Sequence, residues 1–172
     1  MKKSELVKGE IGDFYWGYID KIPADAELVS TLKKNTAEFV EFLKTIPKEK
    51  WTYRYAAGKW DILEMVQHII DTERIFQYRA LSFARNENGA LPGFDHDTYV
   101  LNSGAENRTP VDLIHEFEIV RESAILLFKS MTNSMLTNTG NMNDMKASAR
   151  AIGFIMPGHV LHHISILNQF YL

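Results

Sequence analysis

Apolar residues recur at intervals of three and four along most of the chain, and this spacing restricts what it can fold into. The first clear run contains Leu28, Leu32, Phe39 and Leu43. Residues at these intervals share one face of an α-helix, and such a face has to be covered by another element. The sequence shows no convincing two-residue alternation of the kind found in half-buried strands. The pattern therefore predicts an all-α protein.

Two long helices are predicted in the first half of the chain. The first spans residues 25–45, and Asp25 is its candidate N-cap. The second spans residues 61–85 and starts at Asp61, which is the first residue of a capping-box variant. The turn signal Asn88-Gly89 follows it and ends the helical pattern.

Two further long helices are predicted in the second half of the chain. The third starts at Thr109-Pro110, where threonine is the N-cap and proline takes the first helical position. The fourth spans residues 147–171, and the polar residues 133–144 before it are predicted to form a loop. Residues 1–20 are expected to form an arm on the surface. We therefore predict one domain, residues 1–172, that folds as a four-helix bundle with long, unequal connections.

Composition excludes several classes of function. The 172 residues include no cysteine, so a thiolate metal site and a cysteine nucleophile are excluded, and any metal ligand must be His, Asp or Glu. The net charge is -3 and the basic residues do not cluster, which argues against nucleic acid as a partner. No segment approaches the roughly 20 apolar residues of a membrane span. We expect a cytoplasmic protein without a membrane partner.

Three histidines provide the strongest functional signal. His159 and His163 are four residues apart, which places them one turn apart on one helical face, and the apolar stripe of the fourth helix turns that face inward. The stripe leaves His162 at the rim. His68 shares the apolar face of the second helix.

Three imidazoles meeting in the core form a facial site that leaves coordination positions open on a divalent metal. Zinc or nickel suits imidazole, and iron and manganese are alternatives. The simpler alternative is three hydrogen-bonded core histidines.

Two other polar residues of the second helix are candidates for a role at this site. Asp71 flanks the face of His68 and could accept a hydrogen bond from it, which would fix the tautomer of the imidazole. Arg79 lies on the face of His68, so its guanidinium needs an anion. That anion is either a carboxylate, such as that of Asp71 or Glu73, or a group of the substrate. We interpret His96 as a loop residue and His115 as a residue of a polar helix face.

Four motifs in this order resemble the DinB-like family of four-helix bundles, specifically its YfiT-type branch. The resemblance covers nearly the whole chain. The motifs are Lys59-Trp60-Asp61-Ile62-Leu63-Glu64 leading to His68, Asp71-Thr72-Glu73-Arg74, Leu91-Pro92-Gly93-Phe94-Asp95, and Gly158-His159-x-x-His162-His163-x-x-Ile166-Leu167.

The resemblance implies a metal held by His68, His159 and His163. It also implies a thiol S-transferase that uses a small thiol of the bacillithiol or mycothiol type, or a metal-dependent hydrolase. Homodimers are common in the family, which was first noticed as damage-inducible genes. A homodimer that takes a small-molecule thiol and an electrophilic substrate is therefore expected.

The sequence leaves several functions open. The favoured one is transfer of a bacillithiol-type thiol to an electrophile at the three-histidine metal, with the nucleophile brought in from outside. A metal-dependent hydrolase is the first alternative, and a non-catalytic, metal-stabilised binding or stress-response bundle is the second. An iron oxygenase would more often use two histidines and a carboxylate. No catalytic residue of the protein itself is assigned.

Overall fold

The computed structural model describes residues 1–87 and 89–172. Asn88, one half of the predicted Asn88-Gly89 turn, lies outside the described residues. The described residues form seven α-helices and one two-stranded sheet. None of the described helices combines the length and the apolar composition that crossing a bilayer requires. The α-helices are α1 (Trp16–Ile19), α2 (Leu28–Lys44), α3 (Ile62–Ala84), α4 (His96–Leu101), α5 (Pro110–Lys129), α6 (Asn133–Thr137) and α7 (Ala149–Phe170), the strands are β1 (Thr139–Met142) and β2 (Met145–Ser148), and single 3-10 turns occur at Lys3–Glu5, Asp13–Tyr15, Lys48–Lys50 and Ala105–Asn107.

The four long helices α2, α3, α5 and α7 form a four-helix bundle. Each of α2 and α3 packs against both α5 and α7, so the consecutive helices α2 and α3 are diagonal across the bundle. This arrangement requires the long connections predicted from the sequence. The predicted all-α bundle is confirmed, and α3 and α7, which carry the three histidines, are direct neighbours.

Local hydrogen bonds explain where the long helices begin. The side chain of Asp61 accepts from the Glu64 amide at 3.0 Å, and the Glu64 carboxylate accepts from the Asp61 amide at 2.8 Å, which completes the predicted capping box. Thr109 caps α5 by accepting from the amide of Asp112 at 3.2 Å. Ser148 caps α7 in the same way.

The predicted start of the first helix is wrong. The N-cap of α2 is Glu27 rather than Asp25, and the Glu27 carboxylate accepts from the amide of Ser30 at 2.9 Å. The preceding residues are engaged elsewhere: the carbonyls of Ala24 and Ala26 accept hydrogen bonds from the amides of the N-terminal arm, residues 3 and 4. Because these carbonyls pair with another segment, this backbone does not continue the helix.

The segment predicted as a loop, residues 133–144, contains regular structure instead. It forms α6 and β1, and β1 pairs antiparallel with β2. The two-residue turn between the strands consists of Asn143 and Asp144, with φ of 51° and 58°. Such positive values at both positions suit a tight hairpin, and Asn and Asp tolerate them better than most residues. The hairpin buries Met142 against the bundle.

The N-terminal arm packs on α7. Ile11, Tyr15 and Ile19 are buried. The arm approaches closely at Gly158, where a β-carbon would lie 2.3 Å from the carbonyl oxygen of Tyr18. A glycine at this position therefore allows the ring of Tyr18 to reach the histidine face of α7.

Candidate metal centre

The three predicted histidines meet inside the bundle. His68 lies on α3, and His159 and His163 lie one turn apart on α7. The Nε2 atom of His159 is 3.3 Å from Nε2 of His68 and 3.0 Å from Nε2 of His163. One ring nitrogen from each residue lies within 4.8 Å of the other two, and all three side chains are buried. His162 is only half-buried and packs edge-on against Tyr18, at the rim.

Burial keeps these imidazoles neutral. Loss of solvation, together with a smaller contribution from the nearby His96, lowers the pKa of His68 from 6.5 to about 4. The pKa values of His159 and His163 are lowered well below 6.5, first by burial and then by the neighbouring imidazoles. Neutral imidazole is the form that binds a metal, so the three side chains are in their ligand form at neutral pH.

The donor set fits a divalent metal ion. Three Nε2 atoms that face one another cannot all be satisfied by each other, since a neutral imidazole has one N–H donor and one acceptor nitrogen. Two nitrogens that each lie about 2.1 Å from one tetrahedrally coordinated ion are roughly 3.4 Å apart, close to the separations between these Nε2 atoms. Nδ1 of His163 is buried and has no hydrogen-bond partner among the described residues.

Asp71 does not support His68. Its carboxylate accepts a hydrogen bond from Gln67 at 3.0 Å and lies 3.7 Å from a guanidinium nitrogen of Arg74. The side chain lines a separate surface depression beside Tyr99. The expectation that Asp71 fixes the tautomer of His68 is therefore corrected, because Gln67 and Arg74 engage its carboxylate, which borders a different depression.

The histidines form part of the wall of a cavity of about 370 Å³. Three separate segments contribute further parts of the wall: the N-terminal arm, Trp60 just before the N-cap of α3, and the loop before α4. The Trp60 ring centre is 4.9 Å from that of His68, and that of Tyr18 is 5.5 Å from that of His159. The aromatic side chains that line the cavity are Phe14, Tyr15, Tyr18, Trp60, Phe76 and Phe94.

Arg79 lies in this cavity wall, as its position on the face of His68 predicts. Its side chain is buried, and one guanidinium nitrogen donates to the carbonyl of Pro92 at 2.8 Å. Neither carboxylate proposed from the sequence pairs with it. Asp71 is engaged by Gln67 and Arg74, while Glu73 is bound by Arg121 on α5.

Other lining residues were missed from the sequence. Thr72 is one turn from His68 and lines the cavity; helical spacing places it on the face of His68, but nothing else in the sequence indicated a role for it. Asn143 reaches the cavity from the turn of the hairpin, and its side chain approaches Gly93 so closely that a β-carbon there would lie 2.2 Å from Oδ1. His96, interpreted as a loop residue, is the first residue of α4, with its ring centre 6.0 Å from that of His68.

Comparison with known proteins agrees with this architecture. A family model described as the DinB superfamily matches residues 31–167. A similar solved structure is YfiT from Bacillus subtilis, described as a probable metal-dependent hydrolase with an unusual four-helix bundle topology. It has a TM-score of 0.76 and 14% identity, and the match covers 96% of this chain and 90% of YfiT. The mycothiol-dependent maleylpyruvate isomerase has a TM-score of 0.68 and 10% identity, covering 86% of this chain and 61% of the isomerase. No curated protein sequence matches the chain.

Proposed function

The chain belongs to the DinB superfamily, and on that premise we propose that it is a metal-dependent enzyme whose ion is held by His68, His159 and His163. The reaction we propose is transfer of a small thiol, of the bacillithiol type, to an electrophile. The observation that carries the proposal is the convergence of three neutral imidazoles on one side of an aromatic cavity. Zinc or nickel is the proposed ion, with iron and manganese as alternatives.

The residues of the chain have distinct roles in this proposal. The three imidazoles bind the ion in their neutral form, while the aromatic walls exclude bulk water from the reacting groups. A divalent ion bound there lowers the pKa of a thiol or of water and so supplies a nucleophile at neutral pH. Because the chain contains no cysteine, the thiol has to come from outside.

A metal-dependent hydrolase is the second candidate, favoured by the description of YfiT. The same site would then activate water rather than a thiol. The two reactions are distinguished by their co-substrate, since transfer requires an added thiol and hydrolysis does not. A non-catalytic, metal-stabilised bundle is less consistent with a cavity of about 370 Å³ that opens beside the histidines.

The first test is metal content in protein purified without an affinity tag. Wild type should retain one divalent ion for each chain, and His163→Ala should lose it because one of three ligands is removed. His162→Ala is the matched control, since that residue neighbours the site but its imidazole is at the rim. Full retention of metal by His163→Ala would contradict the assignment.

The second test measures conjugation of small thiols to electrophilic acceptors, with and without a chelator. Transfer predicts a rate that requires both the thiol and the metal and that disappears in His68→Ala. Ester or amide hydrolysis without thiol, together with conjugation no faster than background, would favour the hydrolase instead.

A further inference from the structure

One face of α3 carries three polar side chains into the cavity. His68, Thr72 and Arg79 are separated by four and seven residues, which puts them within about 40° of one another around the helix. All three line the same cavity. The Cα atoms of His68 and Arg79 are about 16 Å apart along the helix axis, and the Arg79 side chain leans back toward the N-terminus and so toward the histidines.

Arg79 is buried without a balancing negative charge. Only 3% of the residue is exposed. Besides the Pro92 carbonyl, the guanidinium contacts the Tyr15 hydroxyl, the sulfur of Met142 at 3.9 Å and the face of Phe94, with 5.9 Å from the guanidinium carbon to the ring centre. Burial lowers the pKa of Arg79, and the neighbouring Tyr15 hydroxyl opposes this. No carboxylate in residues 1–87 or 89–172 forms an ion pair with Arg79.

Thr72 shows a second unsatisfied group on the same face. Its Oγ1 is buried and has no hydrogen-bond partner among the described residues. A helical threonine commonly bonds the carbonyl four residues back, as Thr36 does with Leu32 at 2.7 Å. Thr72 therefore offers a free donor and acceptor between the histidines and Arg79.

A structural role for Arg79 explains only part of this arrangement. The bond to the Pro92 carbonyl connects α3 to the loop that precedes α4. The Pro92 carbonyl, the Tyr15 hydroxyl and the Met142 sulfur are all neutral, however, so none of them balances the charge of the guanidinium. A buried charge without a counterion is unfavourable unless something else compensates for it. A ligand anion in the cavity would do so.

We propose that the cavity binds an amphipathic carboxylic acid whose carboxylate pairs with Arg79. Its apolar body lies against Phe94 and the other aromatic walls, a polar atom meets Thr72, and its reacting end reaches the three histidines. This inference rests on the proposed metal-dependent function and adds the substrate class. The carboxylate belongs to either the thiol or the electrophile, and the experiment separates the two.

The first arm uses cobalt(II)-loaded protein and a series of mercaptoalkanoates of increasing chain length, each matched by its mercaptoalkanol. The near-ultraviolet thiolate-to-cobalt band reports thiol binding. If the thiol carries the carboxylate, the acid should bind more tightly than the alcohol by on the order of tenfold or more at the best chain length. The preference should disappear in Arg79→Met and be partly kept in Arg79→Lys. Arg85→Met, which removes an exposed guanidinium at the end of α3, should keep it.

The second arm uses metal-free protein, 4-phenylbutanoate and 4-phenylbutanol, with binding measured by calorimetry at neutral pH. The absence of metal removes coordination of the carboxylate as an explanation. A preference for the acid that depends on Arg79 in this arm alone would assign the carboxylate to the electrophile.

Equal binding of acids and alcohols in both arms would overturn the inference. The cobalt band tests the metal site separately. If no band appears, the proposed function fails, and the second arm still decides whether Arg79 binds a carboxylate.

Discussion

Two buried polar clusters lie close together in this bundle, and they differ in how their charges are balanced. The closed cluster consists of Glu73, Arg121 and Asn35. Arg121 donates to both carboxylate oxygens of Glu73, at 3.0 and 2.7 Å, and to the side-chain oxygen of Asn35 at 3.0 Å. The open cluster consists of His68, His159, His163, Thr72 and Arg79, and no carboxylate of the described residues pairs with it.

The difference shows what each cluster contributes. Arg121 is 0% exposed, and its charge is neutralised within the protein, so the closed cluster joins α3, α5 and α2. Arg79 is nearly as buried but faces a cavity. A polar group that the protein itself satisfies stabilises or positions helices, whereas a group that it leaves unsatisfied beside a cavity is available to a ligand.

The largest expected effect is on the closed cluster. Arg121→Met should lower the free energy of unfolding by about 3–5 kcal/mol, because it leaves the Glu73 carboxylate buried without its partner. Arg79→Met should change stability by less than about 1 kcal/mol, or increase it, since no carboxylate is left behind. Urea denaturation of the two variants measures this contrast. Equal losses would show that Arg79 is as structural as Arg121.

A metal ion bound at the open cluster should stabilise the folded protein by about as much as Arg121→Met destabilises it. With free metal several-hundred-fold above its dissociation constant, the free energy of unfolding should rise by on the order of 3–4 kcal/mol. The gain should be absent in His163→Ala. Circular dichroism should show that the helices persist with a chelator, since the apolar core folds without the ion. Loss of most helix on chelation would mean that the core is not self-sufficient.

Lower pH should reduce the folding stability of the metal-free protein, because His68 of the open cluster is held neutral when folded. The pKa of His68 is about 4 in the folded chain against an ordinary value of 6.5, so the unfolded chain takes up this proton first. Stability is therefore unaffected by this group above pH 6.5 and falls as the pH drops from 6.5 to about 4. A shift of this size corresponds to about 3 kcal/mol at most.

Denaturation of wild type and His68→Gln at about pH 7 and about pH 5 isolates this contribution. Glu73 in the closed cluster contributes the opposite dependence of stability on pH, because burial raises its pKa despite its Arg121 partner. This contribution is present in both proteins and so does not affect the comparison. Between these two pH values the free energy of unfolding should fall more in wild type than in His68→Gln. Parallel losses would show that His68 is not held neutral by burial.

The smallest expected effect concerns the unsatisfied hydroxyl. Thr72→Val removes a buried polar atom that has no partner among the described residues, so it should raise the free energy of unfolding by about 1 kcal/mol. Thr36→Val is the matched control on α2, because its hydroxyl donates to the Leu32 carbonyl and should not gain. A loss of stability in Thr72→Val would show that the hydroxyl is satisfied, for instance by an ordered water.

Local signals predicted much of the fold. The capping box at Asp61 and the Thr109-Pro110 start are confirmed, because both depend on hydrogen bonds within one turn. The family resemblance is confirmed as well. The Asp25 cap was wrong because the carbonyls around it pair with the N-terminal arm, and the hairpin was missed because its strands are only four residues each. The contacts that decide the first case come from a distant segment, whereas the hairpin is local but too short to show a periodic pattern.

For the site, helical periodicity determined which faces of α3 and α7 carry His68, His159, His163 and Arg79, because the helical repeat sets the direction of a side chain without reference to the rest of the chain. Their assignment as metal ligands and substrate contacts stays a prediction. Only the tertiary structure decided which groups meet. The packing of α3 against α7 brings the three Nε2 atoms together, while Arg121 takes Glu73 and leaves Arg79 without a carboxylate. Whether a buried polar group is satisfied depends on every element that surrounds it, so one helix's sequence cannot reveal it.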